Sequence, residues 1–467
     1  MEVCSGKRFE VSRIDTAASN PEYTCMFGPR LRSLWSRSRL ARAASTALVA
    51  QVAGAGLNLI AQILFARWAG PSAYGAYSYA MAWTGLLATL AGMGLPQAIV
   101  RFIPEYLSTQ QYGRLQGVLR RSVHVVALCS GAVGLIGVGL TLVIDARTPL
   151  PTLRMPLLLC FGGLPLLALL RLFTEMSIAR QHMRVAYVLP RVGRPLAMIG
   201  GAALVVWGIQ QPFTAPVAVL IALAPVPLIG LVQRWTVHHG LPSAAHNVPP
   251  QYATRHWLRT ALPMLLITGF LLFLSTTDLL MLGLFERTDV VGLYKVASKM
   301  ASLVLFPMLA LHAVVTPQFA SMHAADDTEG MQRLAATSVR WMTLGAVGVA
   351  AVLLAGASVW LGLFGPAFRA AEPVLWILVL AQCVNAATGS VGPLLTMTGH
   401  QDAAAWVYGS AAVLNVVLNA IGIYALGMMG AALATALSTM LWNIGLYRLV
   451  TRRIGVAPSI LDALFTR

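Results

Sequence analysis

Twelve apolar stretches of about twenty residues run along this chain: 44–66, 73–96, 122–144, 155–178, 187–208, 214–233, 258–284, 291–318, 341–364, 373–397, 403–425 and 428–449. A helix needs about 20 mostly apolar residues to cross a bilayer's hydrocarbon. In lipid every backbone polar group must be satisfied within the segment, which helices do. The pattern therefore predicts an all-α polytopic membrane protein of about twelve transmembrane helices. Composition agrees: 10% of the 467 residues are charged and 57% are apolar, against about 25% charged in soluble domains. Disorder would need low hydrophobicity. The net charge of +17 is no nucleic-acid footprint, because such a footprint needs a wettable basic surface; no nucleic-acid partner is expected.

The charge instead orients the chain. Lys and Arg accumulate on cytoplasmic flanks. With the N-terminus inside, 25 basic residues fall on inner segments or at the inner ends of spans and five on outer loops (Arg67, Arg147, Arg154, Arg287, Arg369); three more (Arg171, Lys295, Lys299) are counted within spans. The chain is thus expected N-in and C-in. Residues 1–43 hold eight basic residues, lack a signal peptide's short apolar core and cleavage site, and read as a disordered cytoplasmic arm leaning on anionic inner-leaflet lipid. Met26 opens a plausible shorter chain, which leaves 1–25 dispensable. Beyond the arm come an N-terminal six-helix lobe (44–233), a cytoplasmic linker (234–257), a C-terminal six-helix lobe (258–449) and a cytoplasmic tail (450–467).

The two halves carry a weak repeat. Leu64-Phe65-Ala66-Arg67 resembles Leu284-Phe285-Glu286-Arg287, Gly75-Ala76-Tyr77 resembles Gly292-Leu293-Tyr294, and Gly113 matches Gly330. Each half then passes through a polar, partly amphipathic segment, 98–121 or 319–340. Six spans per half is an even number, so the repeat is parallel, and two such lobes suit a central cavity with alternating access.

An ionised side chain at mid-span costs about 2.5–3.5 kcal/mol on insertion scales, so such residues are paired or functional. Asp278 lies roughly 10 Å from the outer end of span 7, and Lys295 and Lys299 roughly 6 and 12 Å into span 8, at 1.5 Å per residue. The lysines share a helix face. Two readings stand: a buried ion pair between Asp278 and a lysine, or a lysine left free to meet an anionic substrate while Asp278 tunes it or carries a coupling proton. The Leu-Phe-x-Arg match puts Asn58 opposite Asp278, and the Gly-x-Tyr match puts Ser78 and Ala82 opposite the lysines. The charge is expected in one lobe only. Arg171 and Glu175 form an i, i+4 pair near the inner end of span 4, read as snorkelling or as part of an inner gate. Arg101, just past span 2, is a basic flank or the lip of an inward-open mouth. His124 and His312 read as helix residues, and Asp326-Asp327 as solvated. Gly430, Ala434 and Ser438 recur at four-residue spacing, which lets a neighbouring backbone approach. Pro165, Pro195, Pro263 and Pro307 sit within spans, where they can kink helices.

No nucleotide-binding motif, catalytic triad or metal-ligand cluster stands out, and no outer loop is large. No catalytic residue, metal or cofactor is assigned. The five cysteines are odd in number and scattered, which implies no disulfide framework.

Three stretches resemble the polysaccharide transporter (O-antigen flippase) family of the multidrug, oligosaccharidyl-lipid and polysaccharide exporter superfamily. They are Ala61-Gln-Ile-Leu-Phe-Ala-Arg67 through Gly75-Ala-Tyr77; Asp278-Leu-Leu-Met-Leu-Gly283 with Val291-Gly-Leu-Tyr294-Lys-Val-Ala297; and Asn415-Val-Val-Leu-Asn419 with Gly427-Met-Met-Gly430-Ala-Ala-Leu-Ala-Thr435. The resemblance implies a flippase that moves isoprenoid-diphosphate-linked oligosaccharide, a surface-polysaccharide or O-antigen precursor, from the inner to the outer leaflet of a bacterial or archaeal cell membrane. It implies lobes rocking about a cationic cavity, with Lys295, Lys299 and Asp278 placed in it; the repeat adds Asn58 as a cavity candidate, and the residues leave proton coupling, sodium coupling or neither open. Glycan polymerase and chain-length machinery are expected partners. The rivals are a multidrug or cation antiporter of the superfamily, which would favour acidic cavity residues, and a peptidoglycan-precursor flippase, which would favour cations in the first lobe. A glycan ligase or polymerase would want larger outer loops.

Overall fold

The computed structural model describes residues 29–246 and 248–465. Ten helices in it are long and apolar enough to cross a membrane, and the bent pair Arg154–Gly162 and Leu164–Ala179 adds an eleventh. The first of the ten is itself a hairpin. It runs from Pro29 to Ala91 but breaks at Gly70, whose φ of 72° leaves helical space. The chain folds back there: the Tyr74 hydroxyl reaches Gln62 at 3.0 Å, and the Phe65 and Tyr77 rings lie 5.4 Å apart, whereas twelve residues of straight helix would span roughly 18 Å. Counted as two arms, 49–69 and 71–91, it brings the total to the twelve spans the sequence predicts.

The remaining spans are 3 (Tyr112–Arg147), 4 (the bent pair), 5 (Arg184–Ile209), 6 (Ala215–His239), 7 (Thr254–Phe285), 8 (Thr288–Ala324), 9 (Thr328–Ala355), 10 (Pro366–Thr388), 11 (Gln401–Leu426) and 12 (Met428–Arg453). Among the described residues there is no strand. The segments read as polar loops are largely helical. Leu95–Ser108 is a separate amphipathic helix, while span 3 starts at Tyr112 and span 9 at Thr328, well before the expected 122 and 341. These turns outlast the apolar stretches because they have protein to pack on: Gln251 N donates to Gly113 O at 2.8 Å, and the Gln332 side chain bonds both ways with the Ala457 backbone. The expected arm is likewise helical from Pro29. Its earlier part, with Met26, Cys4 and Cys25, lies outside the described residues.

The repeat is visible in element starts. Span 9 begins 216 residues after span 3, span 11 begins 217 after span 5, and span 12 begins 213 after span 6. Within the first lobe span 6 packs on span 4 and span 5 on the first hairpin; within the second, span 12 packs on 10 and 11 and span 7 on 11. The lobes meet where the first hairpin and the helix Leu95–Ser108 pack on spans 7 and 8. The repeat glycines lie on this seam and touch each other. A Cβ on Gly75 would sit 1.7 Å from Thr288 O and 2.8 Å from Gly292 N; one on Gly292 would sit 2.2 Å from Pro71 O. Beside them Ser72 and Thr288 share a hydrogen bond of 2.9 Å, and Tyr79 covers Gly283. Further along the seam Trp257 Nε1 donates to the Tyr106 hydroxyl at 2.9 Å.

The small-residue spacing in span 12 does what it predicts. Gly430 lies against the backbone of Gly422, and Ala434 and Ser438 are buried. Three of the four prolines mark changes of helix geometry. Pro165 follows the 43° bend in span 4, Pro195 the switch from π- to α-helix in span 5, and Pro307 a 3-10 turn, Ser302–Leu305, in span 8.

Candidate functional site

The hairpin of spans 7 and 8 sets the first half of the site. Asp278 is 5% exposed and Tyr294 fully buried. The two are level on either side of the turn. The Tyr294 hydroxyl donates to Asp278 Oδ2 at 2.5 Å, and Leu279 N donates to Oδ1 at 2.8 Å. Lys295 and Lys299 are half-buried, and among the described residues neither comes within ion-pair distance of a carboxylate. The direct Asp278–lysine pair is thus replaced by a phenol–carboxylate bond. Tyr294 faces Asp278 from the neighbouring helix, and a neutral donor needs no second charge taken out of water. Lys295 still feels the fields of Asp278 and Lys299, but its ammonium is left without a direct partner. Immediately after Lys299 the helix tightens into the 3-10 turn, with Ser302 Oγ donating to Lys299 O at 2.6 Å; a mid-helix 3-10 stretch often marks a hinge.

Span 12 adds an oxygen beside this pair and shares a buried polar cluster with span 11. Thr435 stands beside the Tyr294 hydroxyl. Asn415 Nδ2 donates to Ser438 Oγ at 2.7 Å and Asn419 Nδ2 to Asn415 O at 2.9 Å. Both asparagines are buried. Asn415 Oδ1, Asn419 Oδ1 and Thr435 Oγ1 are buried with no hydrogen-bond partner. Unsatisfied buried oxygens are costly and call for a water or an ion. Like the Asp278 carboxylate they are oxygen donors, the chemistry that suits hard cations. Among the described residues no group of three or more His, Cys, Asp or Glu has metal-binding geometry.

The first lobe repeats the hairpin without the acid. Tyr74 on span 2 donates to Gln62 Oε1, and Gln62 lies as far before the Gly70 turn as Asp278 lies before its own. Gln62 thus meets a tyrosine as Asp278 does, while the sequence match puts Asn58 opposite Asp278 and Tyr77 opposite Tyr294. Asn58 is half-buried. Opposite the lysines, Ser78 is buried and its hydroxyl has no partner.

The expectation of charge in one lobe only is overturned. Span 5 starts at Arg184, so Arg191 and Arg194 lie seven and ten residues inside it, roughly 10–15 Å deep at helical rise. Both read as inner flank in the sequence, because a basic residue near the end of an apolar stretch is counted as topology. They sit at a π-helical segment, Arg184–Gly193, a geometry common at functional sites. Arg191 is exposed, with its guanidinium 5.6 Å over the Tyr187 ring. Arg194 donates to Ala222 O at 3.2–3.3 Å. Arg171 does not close a direct pair with Glu175; its Nη1 donates to Thr89 Oγ1 at 2.6 Å, tying span 4 to span 2. Glu175 sits between the fields of Arg171 and Arg191. The first lobe therefore holds three arginines against one glutamate, and the second two lysines against one aspartate. Only the π-helix and the true start of span 5 could have brought the arginines into view.

The other candidates are ordinary. Arg101 pairs with Glu105 at 4.0 Å on an exposed face. His312 has a buried, unpartnered Nε2. Asp327 caps span 9, accepting from Gly330 N at 2.7 Å, and is not merely solvated. Cys129, Cys160 and Cys383 are free thiols.

Residues 40–323 match the family model described as "Polysaccharide biosynthesis protein", and residues 263–421 match the MatE model. The chain belongs to the polysaccharide biosynthesis protein family. It is 23% identical over 417 residues to "Probable low-salt glycan biosynthesis flippase Agl15" of Haloferax volcanii, covering 85% of this chain and 81% of that one. Over 193 residues, 40% of each chain, it is 26% identical to "Probable flippase AglR" of the same organism. In structure it resembles an inward-facing MATE family multidrug transporter of the MOP superfamily (TM-score 0.72, 13% identity, 88% of this chain and 96% of that one). It also resembles the lipid II flippase MurJ in an inward closed conformation (TM-score 0.69, 13% identity, 89% and 90%). At that identity the structures establish the fold alone, two helical lobes. The chain is a multi-pass membrane protein of that fold.

Proposed function

We propose that this protein is a flippase that moves isoprenoid-diphosphate-linked oligosaccharide from the inner to the outer leaflet of a bacterial or archaeal cell membrane by alternating access, and that it is a transporter, not an enzyme. The observation that carries this reading is the half-buried pair Lys295 and Lys299, held in an apolar helix without a direct acidic partner. Intramembrane cations of this kind mark substrate paths, and an anion that follows the chain across supplies the missing partner. Glycan-flippase relatives support a lipid-linked glycan as that anion. Arg191 on the other lobe offers a second cation. The basic flanks support an N-in, C-in orientation, which puts the linker and the basic arm on the side where the lipid-linked precursor is made; polymerase and chain-length proteins would receive the product on the other.

Asp278 and the oxygens of Asn415, Asn419 and Thr435 supply the coupling site on this reading: a proton or a sodium ion held there neutralises the carboxylate while the lobes change sides. The test is deletion followed by complementation. Loss of the protein leaves lipid-linked glycan on the inner leaflet and removes it from the surface. The Lys295→Ala/Lys299→Ala variant, shown to be inserted by its membrane level, fails to restore it. Full restoration by that variant sinks the reading. Drug efflux without any change in surface glycan supports the antiporter instead, the reading the MatE match and the MATE-like fold favour.

A further inference from the structure

Away from the seam, at the end of the first lobe where the linker crosses, spans 3, 4 and 6 enclose a cavity of about 170 Å³. Its mouth carries Arg120 and His124 from span 3 and Arg234 and His238 from span 6, all exposed. Its floor is apolar, with Phe173 and Met176 from span 4. Among the described residues neither arginine enters an ion pair. From the mouth an apolar strip runs toward the middle of the lobe. Leu128 lies one turn on from His124 and is 74% exposed; on span 6 Leu231 is 64% exposed, and Trp235, level with the mouth beside Arg234, is 62% exposed.

The second lobe has the same groove and fills it from its own chain. Gln332 bonds the backbone of Ala457 there as Gln116 bonds Ala245 O here, 216 residues earlier. The tail then lays Asp462 against the Tyr447 hydroxyl at 2.9 Å, with Arg340 donating to Ala463 O. By the span 6 to span 12 correspondence, Tyr447 is the counterpart of Arg234. So the tail of the second lobe supplies a carboxylate where its groove has a phenol. In the first lobe the linker from Gly240 to Ala253 contains no acid at all, although its groove presents two arginines.

We propose that this first-lobe groove binds the headgroup of an anionic phospholipid, with the phosphate between Arg120 and Arg234 and the acyl chains along Leu128, Leu231 and Trp235. Basic pockets between transmembrane helices suit such headgroups. The apolar strip leading from the mouth selects a lipid over a small soluble anion. The bound phosphate takes the place that Asp462 occupies in the other lobe.

Trp235 reports on the site. The full chain is reconstituted in phosphatidylcholine vesicles to which brominated-acyl phosphatidylglycerol, or brominated-acyl phosphatidylcholine, is added. Because the chain has 11 tryptophans, quenching of Trp235 is read as the difference between the wild type and Trp235→Phe. The brominated phosphatidylglycerol is expected to quench Trp235 at lower mole fraction than the phosphatidylcholine. The preference should fall about five-fold for each arginine replaced by glutamine, at about one charge's worth of surface attraction, while Arg120→Lys/Arg234→Lys keeps most of it. If the double glutamine variant does not insert, Arg234→Gln alone reads the same loss. Equal quenching by the two lipids, or a preference unmoved by either glutamine substitution, overturns the proposal. Abolition of the preference by inorganic phosphate also overturns it, because the groove would then hold a small anion and not a lipid.

Discussion

The two lobes share a frame and differ in charge chemistry. Each folds its opening spans into a hairpin and sets a tyrosine of the second helix against a polar side chain of the first. In the first lobe that side chain is Gln62, neutral and held by Tyr74 at 3.0 Å; in the second it is Asp278, held by Tyr294 at 2.5 Å. The cations differ too. The first lobe ties Arg171 and Arg194 to Thr89 and to Ala222 O, whereas among the described residues Lys295 and Lys299 have no such anchor. A guanidinium is a rigid fork that can bridge helices, while an ammonium on a flexible stem can follow a moving ligand. On the proposed function, this difference leaves the arginines mostly holding one lobe together and the lysines serving the passage of an anion.

The largest expected effect comes from forcing the two lobes apart. Gly75→Leu or Gly292→Leu puts a side chain into the opposing backbone and should abolish complementation, whereas Gly85→Leu, on the same helix but facing open space, should not; equal tolerance at all three would mean that the seam is not tight. Next comes the cation contrast. Lys295→Ala should cut glycan flipping about tenfold or more, on the scale of a lost hydrogen bond to a charged group, and Lys295→Arg should restore part of it. Arg194→Ala should instead lower thermal stability and the amount of folded protein before it lowers the rate per molecule. If Arg194→Ala behaves like Lys295→Ala in a flipping assay at matched protein level, the division of labour is wrong.

The hairpin contrast gives a finer test. Asp278→Asn keeps an acceptor for Tyr294 and removes the charge, so flipping should lose its dependence on the sodium or proton gradient. Gln62→Ala should leave that dependence intact. A gradient response surviving in Asp278→Asn would move the coupling site elsewhere. The smallest effect belongs to the exposed Arg101–Glu105 pair. Arg101→Gln should change stability by no more than about 1 kcal/mol and flipping by less than two-fold; a larger loss would restore Arg101 as a gate residue.

The twelve spans were legible because the bilayer's demand is local: each helix must be apolar over its own length, whatever its neighbours do. Even the hairpin at Gly70, which the helix assignment runs through, was readable as two stretches, 44–66 and 73–96. The lysines and Asp278 were legible for the same reason, as charges inside apolar runs. Arg191 and Arg194 lie in an apolar run as well, but near its inner end, where a basic residue looks like a topology signal until the depth of its helix is known. Tyr294 was visible only as half of a Gly-x-Tyr repeat. Nothing in a tyrosine's one-dimensional surroundings says that its hydroxyl faces a carboxylate sixteen residues earlier.

By itself the sequence determined the number of spans, their grouping into two related halves and the presence of unusual charge in span 8, since hydrophobic length and burial cost act residue by residue. Only the tertiary structure decided who meets whom. It put Tyr294 and not a lysine on Asp278, paired Gly75 with Gly292 across the seam, and left the first-lobe groove with arginines while the second took Asp462 from its own tail. Those outcomes depend on turn length, helix phase and the depth at which two helices cross, and each is set by packing between segments far apart in the chain.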